Sequence, residues 1–229
     1  MWAQVKDCRL DGRNRLTSSG YGTEDLGLTS KGTKLQRLSH RIDSGVIGYF
    51  DRTVRMPYCR KCAWCVNNPE KWARMQPMFA KISNTFREVW PEKWEYQKGV
   101  YDQINEDFKI PGTIFTTITI NHNYRTACHQ DGKNLDGAVT AMVLLRHGQY
   151  EGGHLVLPKY RVAFRMDTGD VAFFNAAEEW HGNTPLIPIT KECSRCTLVC
   201  YLRKNMVSCG SIKEELELAK HRQKGFKLK

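Results

Sequence analysis

The pattern of apolar positions changes twice along the chain. Residues 1–43 carry few large apolar side chains and predict a polar, extended N-terminal arm. Apolar residues then recur every three or four positions, as on one face of a helix: Trp72, Met75, Phe79, Ile82, Phe86 and Val89. Asn68 and Pro69 suit the start of this helix, and Pro91 suits its end.

The second half of the chain has the pattern of β-strands. From residue 113 onward, short runs rich in Val, Ile, Thr and aromatic residues are separated by turn sequences such as DGKNLDG and YEGG. The runs cover residues 113–120, 138–146, 154–158, 160–164, 170–175 and 194–203. Closely spaced strands with little helix between them favour antiparallel sheets, packed as a sandwich or a jelly roll.

The end of the chain returns to a helical pattern and is basic. Ser211 and Glu214 have the spacing of a capping box, which predicts a basic C-terminal helix over residues 210–229. The whole chain has 35 Lys and Arg against 24 Asp and Glu, a formal net charge of +11. Such an excess favours a polyanionic partner, above all nucleic acid, although it can also serve solubility alone.

The compartment is predicted from apolar runs and cysteines. No run of 18 apolar residues occurs, so no membrane span is expected, and the first ten residues lack the apolar segment of a secretion signal. Nine cysteines are an odd number. We therefore expect an intracellular monomer with reduced thiols, nuclear in a eukaryote and cytoplasmic in a prokaryote or virus.

Some of the cysteines have zinc-like spacing. Cys59, Cys62 and Cys65 are separated by two residues each, and Cys193 and Cys196 repeat that spacing. C-x2-C pairs are typical of structural zinc sites. No histidine lies near the first group, and Cys196 falls in a predicted strand, so free thiols are the simpler interpretation. Metal binding by the first three cysteines stays open.

The candidate chemistry lies in two turns that follow predicted strands. His129 and Asp131 form a His-x-Asp pair in the first turn, and His181 lies in the second. Two imidazoles and one carboxylate form the facial triad that holds Fe(II) in non-haem oxygenases, where open positions remain for a chelating cosubstrate and O2. Arg195 begins the last strand and can pair bidentately with the distal carboxylate of 2-oxoglutarate.

Two polar residues beside the first turn are further candidates. Asn121 and Tyr124 lie on the strand that enters the His-x-Asp turn, where they can contact 2-oxoglutarate or substrate. Capping of that strand is an equal alternative for both.

These motifs resemble the TET/J-binding-protein family of Fe(II)- and 2-oxoglutarate-dependent DNA dioxygenases, closest to its compact J-binding-protein branch. The likeness covers residues 44–209 and rests on SGVIGYFD, HQDGKN, YEGGHLVLPKYRVAF, GDVAFFN and WHGNTP. It implies an α+β fold with a double-stranded β-helix (jelly-roll, cupin-like) core and flanking helices. It also implies oxidation of the C5-methyl group of a pyrimidine in DNA, after that base has been flipped out of the duplex.

The resemblance assigns Fe(II) to the two histidines and the aspartate, and 2-oxoglutarate to Arg195. Asn134 stands where the family places an asparagine against the base edge. Tyr201 stands where it places the aromatic residue that stacks on the flipped base. A turn residue and a strand core residue are the plain alternatives for these two positions.

One position departs from the family's pattern. Enzymes that act on 5-methylcytosine carry a base-reading histidine where this chain has Arg203, and an arginine cannot accept a hydrogen bond from the cytosine amino group. We favour oxidation of 5-methylcytosine to 5-hydroxymethylcytosine because of Asn134, with thymine hydroxylation to 5-hydroxymethyluracil as the alternative. Arg203 then contacts base or phosphate. A protein or nucleotide hydroxylase and a non-catalytic DNA-binding module are the remaining hypotheses.

Overall fold

A computed structural model describes residues 43–54, 56–126 and 128–226. The predicted N-terminal arm lies outside these residues except for Asp43. The helices of the described part are α1 (Ala63–Asn67), α2 (Pro69–Val89), α3 (Pro91–Asp102) and α4 (Ile212–Phe226). Three short 3-10 helices lie at Glu106–Phe108, Pro158–Tyr160 and Lys204–Ser208. None of the described helices combines the length and apolar character needed to cross a membrane.

The strands form one large sheet and two small ones. They are β1 (Asp43–Phe50), β2 (Arg60–Lys61), β3 (Thr117–His122), β4 (Thr140–His147), β5 (Tyr150–Gly152), β6 (Leu155–Leu157), β7 (Val162–Phe164), β8 (Val171–Phe174), β9 (Gly182–Asn183), β10 (Leu186–Pro188) and β11 (Ser194–Tyr201). The large sheet has the order β2-β1-β3-β11-β4-β8, and every neighbouring pair in it is antiparallel. The small sheets have the orders β10-β5 and β7-β6-β9.

Alternation along the strands gives the large sheet two different faces. On β11, Cys196, Leu198 and Cys200 belong to the main core. The residues that alternate with them along the strand point to the opposite face and line a cavity: Arg195, Thr197, Val199 and Tyr201. The period of two residues in a strand therefore separates a packing face from a face that can carry chemistry.

Helix α2 covers the packing face of the large sheet. Phe86 stacks between Phe115 and Phe173, with ring centroids 6.4 and 5.3 Å apart. The predicted apolar stripe is buried along the helix up to Phe86. Val89, the last predicted member, is the last residue of the helix and is 65% exposed. Pro91 does not merely end α2, since it also begins α3, which the apolar pattern did not predict.

The C-terminal helix begins with the predicted capping box. The backbone N–H of Ser211 donates to Glu214 Oε2 at 2.7 Å, and the N–H of Glu214 donates to Ser211 Oγ at 3.4 Å. Glu215, in the first turn of α4, is buried and accepts the N–H of Cys59 at 2.6 Å. The first turn of the helix is thereby held against the edge of the large sheet.

The prediction of nine reduced thiols is wrong for one pair. Cys59 and Cys209 form a disulfide between segments 150 residues apart in sequence, because the chain after β11 packs back against the β1–β2 loop. Cys62 and Cys65 are free and buried, with their sulfurs 3.7 Å apart. Cys196 is free and buried in the main core. A three-cysteine zinc site is not assembled among the described residues.

Candidate active site

Backbone pairing brings the His-x-Asp turn to the turn that carries His181. His129 and His181 form an isolated antiparallel bridge, in which each N–H donates to the other's carbonyl at 2.9 Å. The N–H of Asp131 donates to the carbonyl of Ala176 at 2.8 Å. Because main-chain bonds link the two turns, the three side chains are positioned together before any ligand binds.

The three predicted ligands form a compact group. The His129 Nε2 and Asp131 Oδ1 atoms lie 3.4 Å apart, and the two imidazole centroids lie 4.3 Å apart. One ligand atom from each of the three residues lies within 4.8 Å of the others, and this is the one cluster of its kind in the described part of the chain. Two imidazoles and one carboxylate in this arrangement are a donor set that would fit Fe(II).

His181 is oriented for metal binding by the backbone. Its Nδ1 lies 2.9 Å from the carbonyl oxygen of Glu179, which can only accept, so Nδ1 carries the hydrogen and Nε2 is left with a lone pair. Burial lowers the pKa of His181 below its usual value. The neutral imidazole required of a ligand is therefore the stable form at neutral pH. The Phe174 ring packs edge-on against it at 5.1 Å.

Asn134 contacts the carboxylate of Asp131. Its amide Nδ2 donates to Asp131 Oδ2 at 3.1 Å and to Thr140 Oγ1 at 3.0 Å. A carboxylate oxygen can only accept, which settles the orientation of this amide. Both amide hydrogens are therefore used within the protein, and the carbonyl oxygen is the group that Asn134 can offer to a substrate.

A cavity of about 350 Å³ opens beside the three ligands, between the large sheet and the β7-β6-β9 sheet. Its size falls within the range of small-molecule sites. Arg195 is only 5% exposed and lines this cavity. Asn123, with φ +50°, holds the start of β11: its Oδ1 accepts the N–H of Arg195 at 2.7 Å. Burial lowers the pKa of Arg195, but a guanidinium remains charged at neutral pH.

The other predicted residues also line the cavity. Asn121 Oδ1 accepts a hydrogen bond from Ser44 Oγ at 2.7 Å, and Tyr124 lies at the start of the His-x-Asp turn. Tyr201 is buried, with its hydroxyl 3.3 Å from Thr119 Oγ1. Their roles in binding cosubstrate or base stay predictions.

Arg203 reaches the cavity but is already paired. Its Nε and Nη2 lie 2.7 and 2.6 Å from Asp51 Oδ1, and both side chains are almost fully buried. Asn205 donates to the other carboxylate oxygen of Asp51 at 3.1 Å. The guanidinium is thus anchored to the protein, which restricts how far it can move toward a base or a phosphate.

The family profile described as the oxygenase domain of the 2OGFeDO superfamily, Tet_JBP, matches residues 45–204. The chain belongs to this family. Membership agrees with the resemblance seen in the sequence, and the matched residues include the whole triad and Arg195.

Two curated relatives of this TET/JBP domain come from trypanosomes. The chain is 33% identical over 170 residues to the bifunctional helicase and thymine dioxygenase JBP2 of Trypanosoma brucei brucei, covering 72% of this chain and 15% of that protein. It is 34% identical over 188 residues to the thymine dioxygenase JBP1-B of Trypanosoma cruzi, covering 80% of this chain and 22% of that protein. The chain therefore spans less than a quarter of the length of these relatives.

Among solved structures, the TET/JBP domain is similar to NgTET1 in complex with 5mC DNA. The TM-score is 0.60 at 15% identity, and the match covers 78% of this chain and 69% of that one. At this identity the likeness concerns the fold alone. The predicted jelly-roll core with flanking helices is confirmed by this match and by family membership.

Three supporting residues of the TET/JBP site were missed by sequence reasoning: Asp51, Asn123 and Thr140. Each contacts a predicted site residue far away in sequence or across a turn. Asp51 ends the SGVIGYFD motif, but that motif does not indicate its contact with Arg203. Of the three, Asn123 is the residue that the sequence could have indicated, because an asparagine near the end of a predicted strand often adopts a positive φ.

The cosubstrate assignment predicts the effect of changing Arg195. Arg195→Lys is expected to raise the Kd for 2-oxoglutarate about tenfold or more, because a point ammonium cannot reproduce a planar two-bond fork. Calorimetric titration with Mn(II) in place of Fe(II) measures this without turnover. Arg165→Lys, on an exposed residue, is the control and should leave the Kd unchanged. An unaltered Kd in Arg195→Lys would remove Arg195 from the binding site.

Proposed function

We propose that this chain is an Fe(II)- and 2-oxoglutarate-dependent dioxygenase that oxidises the C5-methyl group of a pyrimidine in DNA. One observation carries the proposal: His129, Asp131, His181 and Arg195 converge on a single cavity in a chain of the TET/JBP family. Acting on DNA would place the protein inside the cell, in the nucleus of a eukaryote or the cytoplasm of a prokaryote.

The chain's own residues have distinct tasks in this reaction. Bound Fe(II), 2-oxoglutarate and O2 supply an oxidant able to attack a methyl C–H bond. His129, Asp131 and His181 hold the metal, and Asn134 keeps the Asp131 carboxylate in one orientation. Arg195, buried in the cavity wall, would anchor the cosubstrate. The apolar part of the wall, with Leu155, Phe174 and Val199 among its members, limits access of water to the reacting groups.

A base must leave the duplex to reach a cavity of this kind. Tyr201 offers a ring in the cavity wall on which such a base can stack. Lys133 also lines the cavity. Lys133 and Lys204 together line a neighbouring surface depression, where both can contact phosphates. The net charge of +11 supports a polyanionic substrate.

The favoured base is 5-methylcytosine, with 5-hydroxymethylcytosine as product. With both amide hydrogens of Asn134 used by Asp131 and Thr140, its carbonyl oxygen is available to accept from the cytosine amino group. Thymine is the second candidate, because relatives about one-third identical are named as thymine dioxygenases. Thymine presents an acceptor at that position and would require a donor in the same place.

Nucleoside mass spectrometry after reaction tests the proposal and the choice of base. Two duplexes of equal sequence are compared, one with 5-methylcytosine and one with thymine as its only C5-methylated base. Product that needs both Fe(II) and 2-oxoglutarate supports the proposal, and the identity of the product decides the base. The Fe(II) content of the protein is measured as the control. Absence of oxidised nucleoside from both duplexes, with Fe(II) bound to the protein, would refute DNA oxidation by this chain.

Tyr201→Ala should reduce oxidation of DNA by more than about tenfold, since stacking of a base on an aromatic ring contributes about 1–3 kcal/mol. Decay of 2-oxoglutarate in the absence of DNA should continue at nearly the original rate, because the metal ligands and Arg195 are untouched. Tyr201→Phe keeps the ring and should retain most of the activity. Equal loss of both reactions in Tyr201→Ala would indicate a damaged site and argue against a stacking role.

A further inference from the structure

Two buried polar atoms near the cavity have no hydrogen-bond partner. In the described part of the chain, the buried side-chain nitrogen and oxygen atoms without a partner are Tyr150 Oη and Arg195 Nε. Leaving a buried donor unpaired is costly, and folded proteins rarely do it without a reason. The two atoms belong to neighbouring side chains, and Arg195 lines the cavity, so a single acceptor that binds there could serve both.

Both side chains flank the same glycine. A methyl group placed on Gly153 would lie 2.8 Å from Arg195 Cδ, 3.1 Å from Arg195 Nε and 3.6 Å from Tyr150 Cε2. Gly153 also has φ +66°, a conformation that favours glycine. The position thus combines a backbone conformation and a lack of side chain that let Arg195 and Tyr150 both pack against this glycine.

Tyr150 is held in place by a second arginine. Arg146 lies opposite Arg195 in the β4–β11 register, and its Cζ is 4.2 Å from the centre of the Tyr150 ring. Arg146 Nη2 also donates to the carbonyl of Tyr150 at 2.7 Å. Burial raises the pKa of Tyr150 above its usual value, so its hydroxyl keeps its proton and acts as a donor at neutral pH. Tyr150 Oη and Arg195 Nε are therefore both hydrogen-bond donors without an acceptor.

We propose that Tyr150 is a second contact for the distal carboxylate of the cosubstrate, and that with Arg195 it selects a 2-oxoacid carrying a second carboxylate. This assignment rests on the proposed function, which places 2-oxoglutarate at Arg195. A carboxylate has two oxygens and can accept from the guanidinium and the hydroxyl at the same time. The small β10-β5 sheet thereby contributes to the end of the cosubstrate site through β5.

Binding of two acids to Tyr150→Phe tests the assignment. The acids are 2-oxoglutarate and 2-oxovalerate, which has the same chain length without the distal carboxylate, titrated calorimetrically into Mn(II)-loaded protein without DNA. We expect the Kd for 2-oxoglutarate to rise about tenfold or more, as for the loss of a hydrogen bond to a charged group. The Kd for 2-oxovalerate should change less than about twofold, because its end offers no acceptor.

Tyr101→Phe is the matched control. Tyr101 is equally buried, but its hydroxyl donates to the carbonyl of Ile110 at 2.9 Å, so its loss should lower stability without altering either Kd. An unchanged Kd for 2-oxoglutarate in Tyr150→Phe, or equal weakening of both acids, would overturn the assignment alone. Failure of the wild-type protein to bind 2-oxoglutarate would overturn the proposed function and the assignment together.

Discussion

Substitution of any one of the three proposed metal ligands, as His129→Ala, Asp131→Ala or His181→Ala, is expected to abolish oxidation of DNA. A facial triad offers three protein ligands, and loss of one leaves an incomplete site for Fe(II). The fold should persist, since these side chains are held by backbone bonds that do not need the ring or the carboxylate. Nucleoside mass spectrometry measures activity, iron analysis measures metal content, and thermal unfolding measures the fold.

Gln130→Ala is the control for this series. Gln130 lies between two ligands in the same turn, but its side chain is exposed and donates to the carbonyl of Glu178. The substitution therefore perturbs the turn without removing a ligand, and most of the activity should remain. Wild-type activity in any of the three ligand variants would contradict the assignment of that residue to the metal. Loss of activity in Gln130→Ala would show that the turn itself is sensitive.

Local patterns predicted the elements that pack and the residues that carry chemistry. The sequence pointed to Arg195 by its place at the start of the last strand and to Tyr201 by the family resemblance, and both lie on the cavity side of β11. The His-x-Asp pair and His181 were found because two imidazoles and one carboxylate, each just after a predicted strand, are the donor set of a facial triad. These features depend on residues close in sequence or on side-chain chemistry, which a single sequence displays directly.

Long-range pairing was not visible in the sequence. Asp51 and Arg203 are 152 residues apart, and nothing local to either position indicates the other. The same holds for Cys59 and Cys209, since an odd number of cysteines does not reveal which two meet. Helix α3 was missed for another reason: only Trp94, Gln97 and Tyr101 are buried along its twelve residues, too few to show a helical stripe.

The anchoring of Arg203 changes what its substitution should do. The sequence suggested that Arg203 reads a base or binds phosphate. Substitution of such a residue would reduce activity and leave the free energy of unfolding nearly unchanged. In the structure, Arg203 and Asp51 form a buried ion pair, with 7% and 3% of their side chains exposed. Removal of one member leaves the other charge buried without a counter-ion, which is strongly destabilising.

Arg203→Met is therefore expected to lower the free energy of unfolding by about 3–5 kcal/mol, and Asp51→Asn by a similar amount. The double variant should be less destabilised than the sum of the two, because it removes both charges together. Urea unfolding of the four proteins gives the coupling energy directly. Lys204→Met is the control: Lys204 is half-exposed, 3.8 Å from the exposed Asp136, and its loss should cost about 1 kcal/mol or less.

The base preference of the activity that remains in Arg203→His distinguishes an anchoring role of Arg203 from a base-reading role. If Arg203 only anchors the cavity wall, Arg203→His should lose stability while keeping the wild-type ratio of 5-hydroxymethylcytosine to 5-hydroxymethyluracil. If it reads the base, the ratio should shift toward 5-hydroxymethylcytosine, since a neutral imidazole can accept from the cytosine amino group and a guanidinium cannot. Additive stability losses in the double variant, together with a shifted ratio, would contradict the anchoring role that the Asp51 contacts indicate.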